Sequence, residues 1–390
     1  MPQLLALEGN EAVAQAMRQI DPDVVAAYPI TPQTEVVQKF SEFVHNGEVK
    51  TEYVPVESEH SALSACIGAA AAGARVMTAT CANGLALMWE MVYIAASLRL
   101  PVVMSIANRA LSGNINIHCD HSDSMGCRDA GWIQLYGEDA QEAYDNLIQA
   151  VRIAEASRLP VMNCYDGFFV SHAVEGVQLE DDEAVKRFVG EYTPAYSLLD
   201  LDHPITIGPL DLQDFYFEHK RTELEAYGPA RQNIIEVGKQ FGEAFGRSYG
   251  LVEPFMLEDA DLALVALGST AGTAKDIAAQ LRRDGRKTGV LKIRAFRPFP
   301  GDEIADALSR RKAVAVLDRS ATFGAPFGPV YTEVTSALYR AGAHVPVAGY
   351  LYGLGGREVR PEHLVKVFDD LDEVASVGAP AETRFLGLRE

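Results

Sequence analysis

Three polar side chains lie where an apolar strand gives way to a loop or helix, and such a group could make a catalytic site. Thr31 lies between Pro29 and Pro32, which fix two φ angles and remove two amide donors, so its hydroxyl sits in a stiff loop. Glu59 falls in the first turn of the helix after the next strand. Arg109 ends a later strand, where its guanidinium could hold a substrate carboxylate bidentately. In an open α/β sheet, such strand ends face the crevice where ligands bind.

The same residues also have purely structural interpretations, and the pattern alone leaves both open. Pro29 and Pro32 are typical of a turn, and an acid such as Glu59 favours a helix N-terminus. Arg109 could equally be an arginine solvated at the edge of the sheet.

A dense polar cluster follows Arg109 and contains side chains that can bind metals. Its members are His118, Cys119, Asp120, His121, Asp123 and Cys127. Their spacing matches neither the usual zinc patterns nor the two-histidine, one-carboxylate pattern. A loop that gathers these residues for hydrogen bonding is the commoner arrangement, so we expect no metal site here.

Glycine-rich turns that would cradle a phosphate are weakly represented. Residues 80–84 contain a single glycine, whereas a dinucleotide fingerprint needs three. Residues 267–272 resemble half of a fingerprint, but a glycine turn with Ser269 or Thr270 capping the next helix is favoured. The chain also has no Walker A lysine, so a protein that binds ATP or a nicotinamide cofactor is the weaker alternative.

The elements that position these residues alternate between helix and strand, which predicts an α/β fold with right-handed crossovers and a parallel sheet. In the first part of the chain the predicted strands are 24–30, 53–56, 75–80, 101–107 and 159–165. The predicted helices are 8–20, 34–44, 58–72, 84–98 and 141–156.

The alternation breaks at residues 180–183. From there to about residue 230 the sequence is irregular and rich in proline, acids and aromatic residues, which indicates a functional segment or one that wraps over another surface. One helix follows, with Ile234, Val237, Phe241 and Phe245 on a single face. A second α/β stretch then begins, which we interpret as a smaller, separate domain. Its predicted strands are 262–267, 288–293, 313–317 and 345–350, and its predicted helices are 270–282, 304–310, 331–340 and 361–368.

Composition limits the classes of partner and location. The 390 residues are 48% hydrophobic, as in an ordinary globular protein of two or three domains. A net charge of -20 repels nucleic acid and anionic membranes, so neither is expected as a partner. No signal-like or membrane-length apolar stretch is found, which predicts a cytoplasmic protein. The five cysteines are scattered and never form C-x-x-C, so no disulfide framework and no Cys₄ zinc or iron–sulfur site is indicated.

Longer motifs, kept in order along the whole chain, make the sequence specific. They are YPITPQT at 28–34, VESEHSAL at 56–63, NRALS at 108–112, NI at 116–117, DHSDSM at 120–125, DGF at 166–168, GPLD at 208–211, RPFP at 297–300 and GPVYTEV at 328–334. With these motifs the chain resembles the α subunit of the 2-oxoacid:ferredoxin oxidoreductases. It is most similar to the pyruvate and branched-chain 2-oxoacid members of the four-subunit type.

The resemblance implies a thiamine diphosphate enzyme that oxidatively and reversibly decarboxylates pyruvate to acetyl-CoA. Residues 1–230 would form the pyrimidine-binding domain, 231–257 a connecting helix and linker, and 258–390 a transketolase C-terminal-like domain. By that analogy Glu59 hydrogen-bonds the cofactor's aminopyrimidine and drives it to its imino form, which removes the C2 proton. Thr31 and Arg109 would hold the substrate's carboxylate and carbonyl. Pro29 and Ile30 would line the cofactor pocket.

The resemblance also implies partner subunits, because part of the site is missing. The diphosphate and its Mg²⁺ are normally held by a Gly-Asp-Gly motif and a later asparagine. Here Asp166-Gly167 and Asp284-Gly285 both lack the first glycine. A β subunit would supply this site and a [4Fe–4S] cluster, and γ and δ subunits, the latter ferredoxin-like, would complete the assembly. Coenzyme A would take the acyl group and ferredoxin the electrons, so the chain alone is expected to be inactive.

Three departures from the family pattern fall on loops near the expected substrate. Cys81-Ala82-Asn83-Gly84 stands where relatives usually carry Ser-Ser-Gln-Gly, Gly113-Asn114 where Ala-Pro is common, and His118 where tryptophan is usual. The loop 113–119 is therefore expected to be more mobile or more open.

These departures leave the substrate open among 2-oxoacids. Pyruvate is the first expectation, a branched-chain acid such as 2-oxoisovalerate is the alternative, and 2-oxoglutarate is less expected. A non-catalytic α/β scaffold is the alternative from another class. The presence of Thr31, Glu59 and Arg109 argues against it.

Overall fold

The structure, a computed structural model, describes residues 2–389. Up to residue 189 the strands are β1 (Gln3–Glu8), β2 (Val24–Ala27), β3 (Glu52–Pro55), β4 (Val76–Thr80), β5 (Val103–Asn108), β6 (Ile133–Tyr136), β7 (Val161–Asp166) and β8 (Val174–Leu179). The helices of this part are α1 (Gly9–Ile20), α2 (Thr34–His45), α3 (Glu59–Ala71), α4 (Ala82–Leu87), α5 (Trp89–Ser97), α6 (Ser122–Gly126), α7 (Ala140–Ser157) and α8 (Asp182–Val189).

The rest of the chain begins with two consecutive helices and ends with a second set of strands and helices. The helices are α9 (Tyr216–Glu225), α10 (Tyr227–Phe245), α11 (Thr270–Arg283), α12 (Gly301–Leu308), α13 (Pro329–Arg340) and α14 (Pro361–Val377), with a 3₁₀ turn at Leu354–Gly356. The strands are β9 (Val252–Phe255), β10 (Leu262–Leu267), β11 (Thr288–Ile293), β12 (Ala295–Arg297), β13 (Ala313–Asp318), β14 (Val347–Tyr352) and β15 (Arg384–Leu386).

Within residues 2–389 the strands form sheets of seven, six and two strands. The first sheet runs β12-β6-β7-β5-β4-β2-β3 and the second β15-β14-β13-β10-β11-β9. Both are parallel except at one edge, where β12 and β9 are antiparallel to their neighbours. β1 and β8 form the separate antiparallel pair. The predicted α/β class with parallel sheets is confirmed.

The central strands of the first sheet are covered on both faces. β4, β5 and β7 are buried at every residue, polar ones such as Thr78, Ser105 and Asn163 included, and each strand begins with two apolar residues that face opposite sides of the sheet. Helices α1, α2, α7 and α10 contribute to the core on one face, and α3 and α5 to the core on the other. Among the described residues no helix is both long and apolar enough to span a bilayer.

The two large sheets are joined by chain from the second α/β stretch. β12 directly follows β11 of the second sheet in the sequence, yet it pairs with β6 at the edge of the first sheet. Trp132 of the first part and Phe296 of the second are both fully buried in one continuous apolar cluster. The domain boundaries at 230 and 258 stay predictions. β12 and this shared core attach the second part firmly to the first.

Several predicted elements differ from the structure; the helix predicted at 361–368, for example, continues to Val377. The strand predicted at 24–30 ends at Ala27, because Pro29 has no amide hydrogen to donate to a ladder. The helix predicted at 84–98 is two helices that meet at Met88. The segment 180–230 is less irregular than predicted, since α8 and α9 lie in it.

Asp318 at the end of β13 joins the second sheet to helix α13, and it should make stability depend on pH. Its carboxylate accepts hydrogen bonds from the amides of Val330 (2.8 Å) and Tyr331 (3.0 Å). Burial outweighs these bonds and raises the pKa of Asp318 to about 7. The folded chain therefore retains a proton that the unfolded chain releases near pH 4.

We expect Asp318 to contribute fully to stability below about pH 4. As pH rises to about 7 this contribution is lost, and the free energy of unfolding falls by up to about 1.4 kcal/mol per pH unit. Asp318→Asn should remove that pH dependence. Calorimetric melting of both proteins at several pH values from 5 to 8 tests this, with exposed Asp276→Asn as the control. A constant difference between Asp318→Asn and wild type across the range would contradict it.

Candidate active site

Five parallel strands have their carboxyl ends on the same side of the first sheet, so the loops that follow them lie together there. β3, β2, β4, β5 and β7 are neighbours in that order, and all run in the same direction. Thr31 lies in the loop after β2, Glu59 begins α3 after β3, and Arg109 directly follows β5. The structure thus brings the three residues singled out from the sequence to the same edge.

Arg109 is a buried guanidinium held by main-chain oxygens. It is 7% exposed, and its Nη1 donates to the carbonyl of Thr31 at 2.8 Å while its Nε donates to the carbonyl of Asn116 at 2.9 Å. It forms no salt bridge with any carboxylate in the described part of the chain. Its orientation is therefore fixed while its positive charge stays uncompensated, as a binding site for an anion requires.

The loop after β2 is rigid and presents the Thr31 side chain outward. The carbonyl of Pro32 accepts a hydrogen bond from Asn10 Nδ2 at 2.7 Å, and the Thr31 carbonyl accepts one from Cys81 Sγ at 3.2 Å. The Thr31–Pro32 peptide bond is cis. Pro29 and Thr31 are exposed and Ile30 is half-buried. The Thr31 carbonyl therefore orients Arg109, and its hydroxyl, which has no partner within residues 2–389, is available to a ligand.

Glu59 is a buried carboxylate that has no hydrogen-bond partner among the described residues. It is 7% exposed, and Ser58 caps its helix by accepting the amide of Ser61. Gly84 of α4 lies against it, since a Cβ at Gly84 would come within 2.7 Å of Glu59 Oε1. The same Cβ would lie 2.4 Å from Thr80 Oγ1, a buried hydroxyl that also has no partner. Glycine at position 84 therefore keeps the space beside this carboxylate open.

Asp123 holds the loops after β4 and β5 together. Its Oδ2 accepts the amides of Ala82 and Arg109, both at 2.9 Å, and its Oδ1 accepts Asn108 Nδ2 at 2.8 Å. Burial raises the pKa of Asp123 to about 6. Sequence analysis grouped Asp123 with the metal-capable residues and missed this role, although a carboxylate near an Asn-Arg strand end was a usable signal.

Asp166 at the end of β7 forms hydrogen bonds to both α/β parts. Sequence analysis did not predict this role either. It is fully buried and binds His121 Nε2 and Arg319 Nη1, each at 2.7 Å, and Ser269 Oγ at 2.5 Å. Burial alone would raise its pKa, but the charges of His121 and Arg319 hold the pKa of Asp166 well below its usual range. Ser269 and Arg319 follow strands of the second sheet.

The polar cluster 118–127 is organised by hydrogen bonds. Asp120 accepts the amide and hydroxyl of Ser122, and His121 and Asp123 have the partners given above. Within residues 2–389, Cys119, His121 and Asp166 are the members of this region whose ligand atoms lie within 4.8 Å of one another. Arg319 already supplies positive charge to Asp166, and burial raises the pKa of Cys119 well above its ordinary value. This environment disfavours a second cation.

Two family models match the chain. Residues 15–239 match the thiamine diphosphate-binding domain of pyruvate flavodoxin/ferredoxin oxidoreductases. Residues 260–364 match core domain II of pyruvate:ferredoxin oxidoreductase.

Curated relatives match the chain from end to end. Pyruvate synthase subunit PorA of Thermotoga maritima is 58% identical over 388 residues, which cover 99% of this chain and 98% of the relative. The subunit of the same name from Methanocaldococcus jannaschii is 46% identical, covering 100% of this chain and 99% of the relative. Ketoisovalerate oxidoreductase subunit VorA of Pyrococcus abyssi is 43% identical, covering 95% of this chain and 94% of the relative.

A solved structure shares the fold. It is the 2-oxoglutarate:ferredoxin oxidoreductase of Magnetococcus marinus with 2-oxoglutarate, coenzyme A and succinyl-CoA bound, with a TM-score of 0.75 and 19% sequence identity. The alignment covers 94% of this chain and 65% of that one, so this chain spans about two thirds of that protein's length. At this identity the likeness shows the fold alone.

Proposed function

The chain belongs to the pyruvate flavodoxin/ferredoxin oxidoreductase family, and we propose that it is the α subunit of an enzyme that reversibly oxidises pyruvate to acetyl-CoA with ferredoxin as electron acceptor. The observation that carries this proposal is a pair of buried, oppositely charged side chains, Glu59 and Arg109, at one sheet edge. Neither is in a salt bridge within the described residues. Buried charges are normally compensated, so both await a ligand.

The donor set fits thiamine diphosphate at one end only. An aminopyrimidine ring needs a carboxyl group to bond its ring nitrogen, and Glu59 is unpaired beside the space kept by Gly84. Pro29 and Ile30 border that edge and are proposed to line the pocket. Of the two Asp-Gly pairs, Asp166-Gly167 is the one at the end of a strand of the first sheet, but Asp166 is fully bonded to His121, Arg319 and Ser269. It is therefore not free to bind Mg²⁺.

The chain's own residues would bind and orient the reactants. When bound, thiamine diphosphate supplies the nucleophilic carbon and the electron sink for decarboxylation. Glu59 Oε1 would hold the proton shared with the pyrimidine nitrogen, in a pocket where burial strengthens that hydrogen bond. Arg109 would hold the carboxylate of the 2-oxoacid, and the Thr31 hydroxyl would donate to its carbonyl oxygen.

The missing half of the site is proposed to come from other subunits. A β subunit would bind the diphosphate and Mg²⁺ and carry a [4Fe–4S] cluster, and γ and δ subunits would pass electrons to ferredoxin. The cysteines of this chain, Cys66, Cys81, Cys119, Cys127 and Cys164, are all buried, and within the described residues no three of their thiols come together. They are therefore unsuited to binding a cluster.

Pyruvate is proposed ahead of other 2-oxoacids. The relatives at 58% and 46% identity carry the name pyruvate synthase, whereas the ketoisovalerate oxidoreductase relative is 43% identical. A branched-chain acid remains the alternative substrate, and the altered loops at 81–84 and 113–118 lie near the proposed substrate side chains.

The test is anaerobic purification of the complex through this chain from its native host. Viologen reduction would be followed with thiamine diphosphate, Mg²⁺ and coenzyme A, with pyruvate, 3-methyl-2-oxobutanoate and 2-oxoglutarate offered in parallel. We expect fastest reduction with pyruvate and none with the isolated chain. No reduction with any acid, despite intact clusters and bound cofactor, would favour the scaffold alternative.

Arg109→Gln should impair binding of the 2-oxoacid in this complex. Loss of hydrogen bonds to a charged group typically costs about 1.5–3 kcal/mol, so kcat/KM for pyruvate should fall roughly 10- to 100-fold while KM for coenzyme A stays unchanged. Arg128→Gln is the matched control, because the Arg128 guanidinium donates to the Met125 carbonyl away from the sheet edge. An Arg109→Gln enzyme with an unchanged KM for pyruvate would refute the assigned role.

A further inference from the structure

The carbonyl oxygen of Asn116 orients Arg109, and the side chain of the same asparagine contacts the second α/β part. Arg109 Nε donates to the carbonyl of Asn116 at 2.9 Å. The side chain of Asn116 donates from Nδ2 to the carbonyl of Gly355 at 3.0 Å and accepts from the amide of His118 at 2.7 Å. One asparagine therefore connects the guanidinium, its own loop and the turn that follows β14.

The turn at Leu354–Gly356 is shaped to receive this loop. Gly355 and Gly356 have φ values of 58° and 80°, which favour glycine. A Cβ at Gly355 would come within 2.3 Å of Asn116 Nδ2, and one at Gly356 within 2.4 Å of His118 Cβ. The amide of Gly356 also donates to the carbonyl of Cys119 at 2.7 Å. Backbone conformation and close approach both require glycine here.

The preceding part of the loop has little other support. Residues 112–115 are exposed, and Ile115 is 81% exposed. On that side the loop is held by hydrogen bonds between Ser112 and Asn83. Between Ser112 and the buried Cys119, Asn116 is the residue whose side chain ties the loop to the second α/β part. Without that tie, the Asn116 carbonyl would be positioned only by its neighbours, through the main-chain bonds of His118 to Ala110 and of Cys119 to Gly356.

We propose that Asn116 is a positioning residue for substrate binding, through which the Leu354–Gly356 turn of the second α/β part sets the orientation of Arg109. The inference rests on the proposed function, since it takes Arg109 as the group that binds the substrate carboxylate. Asn116 itself touches no reacting atom; it acts through its carbonyl on Arg109. The second α/β part thereby contributes to recognition of the 2-oxoacid from across the interface.

The test compares Asn116→Ala with Asn114→Ala in the purified complex. Asn114 is an exposed asparagine of the same loop and has no hydrogen bond within residues 2–389, so it controls for loop substitution. We expect Asn116→Ala to raise KM for pyruvate about 3- to 10-fold, as the loss of one anchoring hydrogen bond implies. The kcat value, KM for coenzyme A and the melting temperature should stay near wild type. Gly355→Ala, which disturbs the same contact from the other side, should also raise KM for pyruvate, but with a lower melting temperature because this position requires glycine.

A double variant tests whether Asn116 acts through Arg109. In an Arg109→Gln background, Asn116→Ala should change KM for pyruvate by less than about twofold, because the group it orients is gone. Full additivity, or an Asn116→Ala enzyme indistinguishable from Asn114→Ala, would overturn the inference while leaving the proposed function standing. A wild-type complex that turns over no 2-oxoacid would instead reject the proposed function and the inference with it.

Discussion

Glu59→Gln in the assembled complex should lower kcat with pyruvate by about 10²–10⁴, the range that a positioned acid–base group typically contributes. Glutamine keeps the size of the side chain but cannot hold the proton at Oε1 or carry negative charge. Because Glu59 has no partner among the described residues, its replacement breaks no hydrogen bond of the chain, and the melting temperature should hardly change.

The control for Glu59 is two residues away. Glu57 is an exposed carboxylate that accepts a hydrogen bond from Ser61 Oγ at 2.5 Å, and Glu57→Gln should leave kcat near wild type. Calorimetric titration with thiamine diphosphate and Mg²⁺ separates catalysis from binding. We expect affinity to change much less than kcat, since the diphosphate end is proposed to be held by another subunit. Equal activity of the Glu59→Gln and Glu57→Gln enzymes would remove Glu59 from the proposed chemistry.

A third substitution tests the space beside Glu59. Gly84→Ala places a methyl group within about 2.7 Å of Glu59 Oε1 and 2.4 Å of Thr80 Oγ1, so the carboxylate must move. We expect it to lower kcat in the same direction as Glu59→Gln although the carboxylate is retained. Wild-type kcat in Gly84→Ala would show that the carboxylate needs no open space there.

Sequence reasoning found the parts of the site that local pattern determines. The central strands β4, β5 and β7 are buried on both faces, and the consecutive apolar residues with which each begins could be recognised without knowledge of their neighbours. Once these strands are parallel and adjacent, the residues at their carboxyl ends must meet at one edge. Thr31 and Arg109 could therefore be predicted to converge, and the hydrogen bond between them, from the Arg109 guanidinium to the Thr31 carbonyl, is present.

What sequence reasoning missed depends on partners far away along the chain. β8 pairs with β1, and β12 pairs with β6; these short strands have no periodicity of their own and are stabilised by pairing. Asp123 appeared as one polar loop residue among several, and only its position shortly after the Asn108-Arg109 strand end could have singled it out. The contact from Asn116 to Gly355 likewise spans the two α/β parts, which no local pattern encodes.

Asp166→Ala should be the most destabilising single substitution among those considered, because it leaves the buried Arg319 cation and the buried His121 imidazole without their carboxylate. Arg319 is 3% exposed and His121 1% exposed, and each bonds to Asp166 at 2.7 Å. Removing one partner of a buried ion pair typically costs about 3–5 kcal/mol. Because Ser269 and Arg319 come from the second sheet, the loss should also loosen the contact between the two α/β parts.

Calorimetric and urea unfolding of the purified chain measure this effect, with Asp261→Ala as the matched control. Asp261 pairs with Lys312 at 3.0 Å on the exposed surface, so its loss should cost at most about 1 kcal/mol. Asp166→Asn should fall between the two, since it keeps an acceptor oxygen but loses the charge.

The pH dependence gives an independent check on the charge of Asp166. Its pKa is lowered in the folded chain, so its contribution to stability is fully present above about pH 4, the ordinary value for aspartate, and is lost as pH falls below it. The advantage of wild type over Asp166→Asn should therefore shrink as pH falls below about 4. A difference that grows as pH falls would mean that Asp166 is buried as the neutral acid, and that Arg319 and His121 are held in place by other contacts.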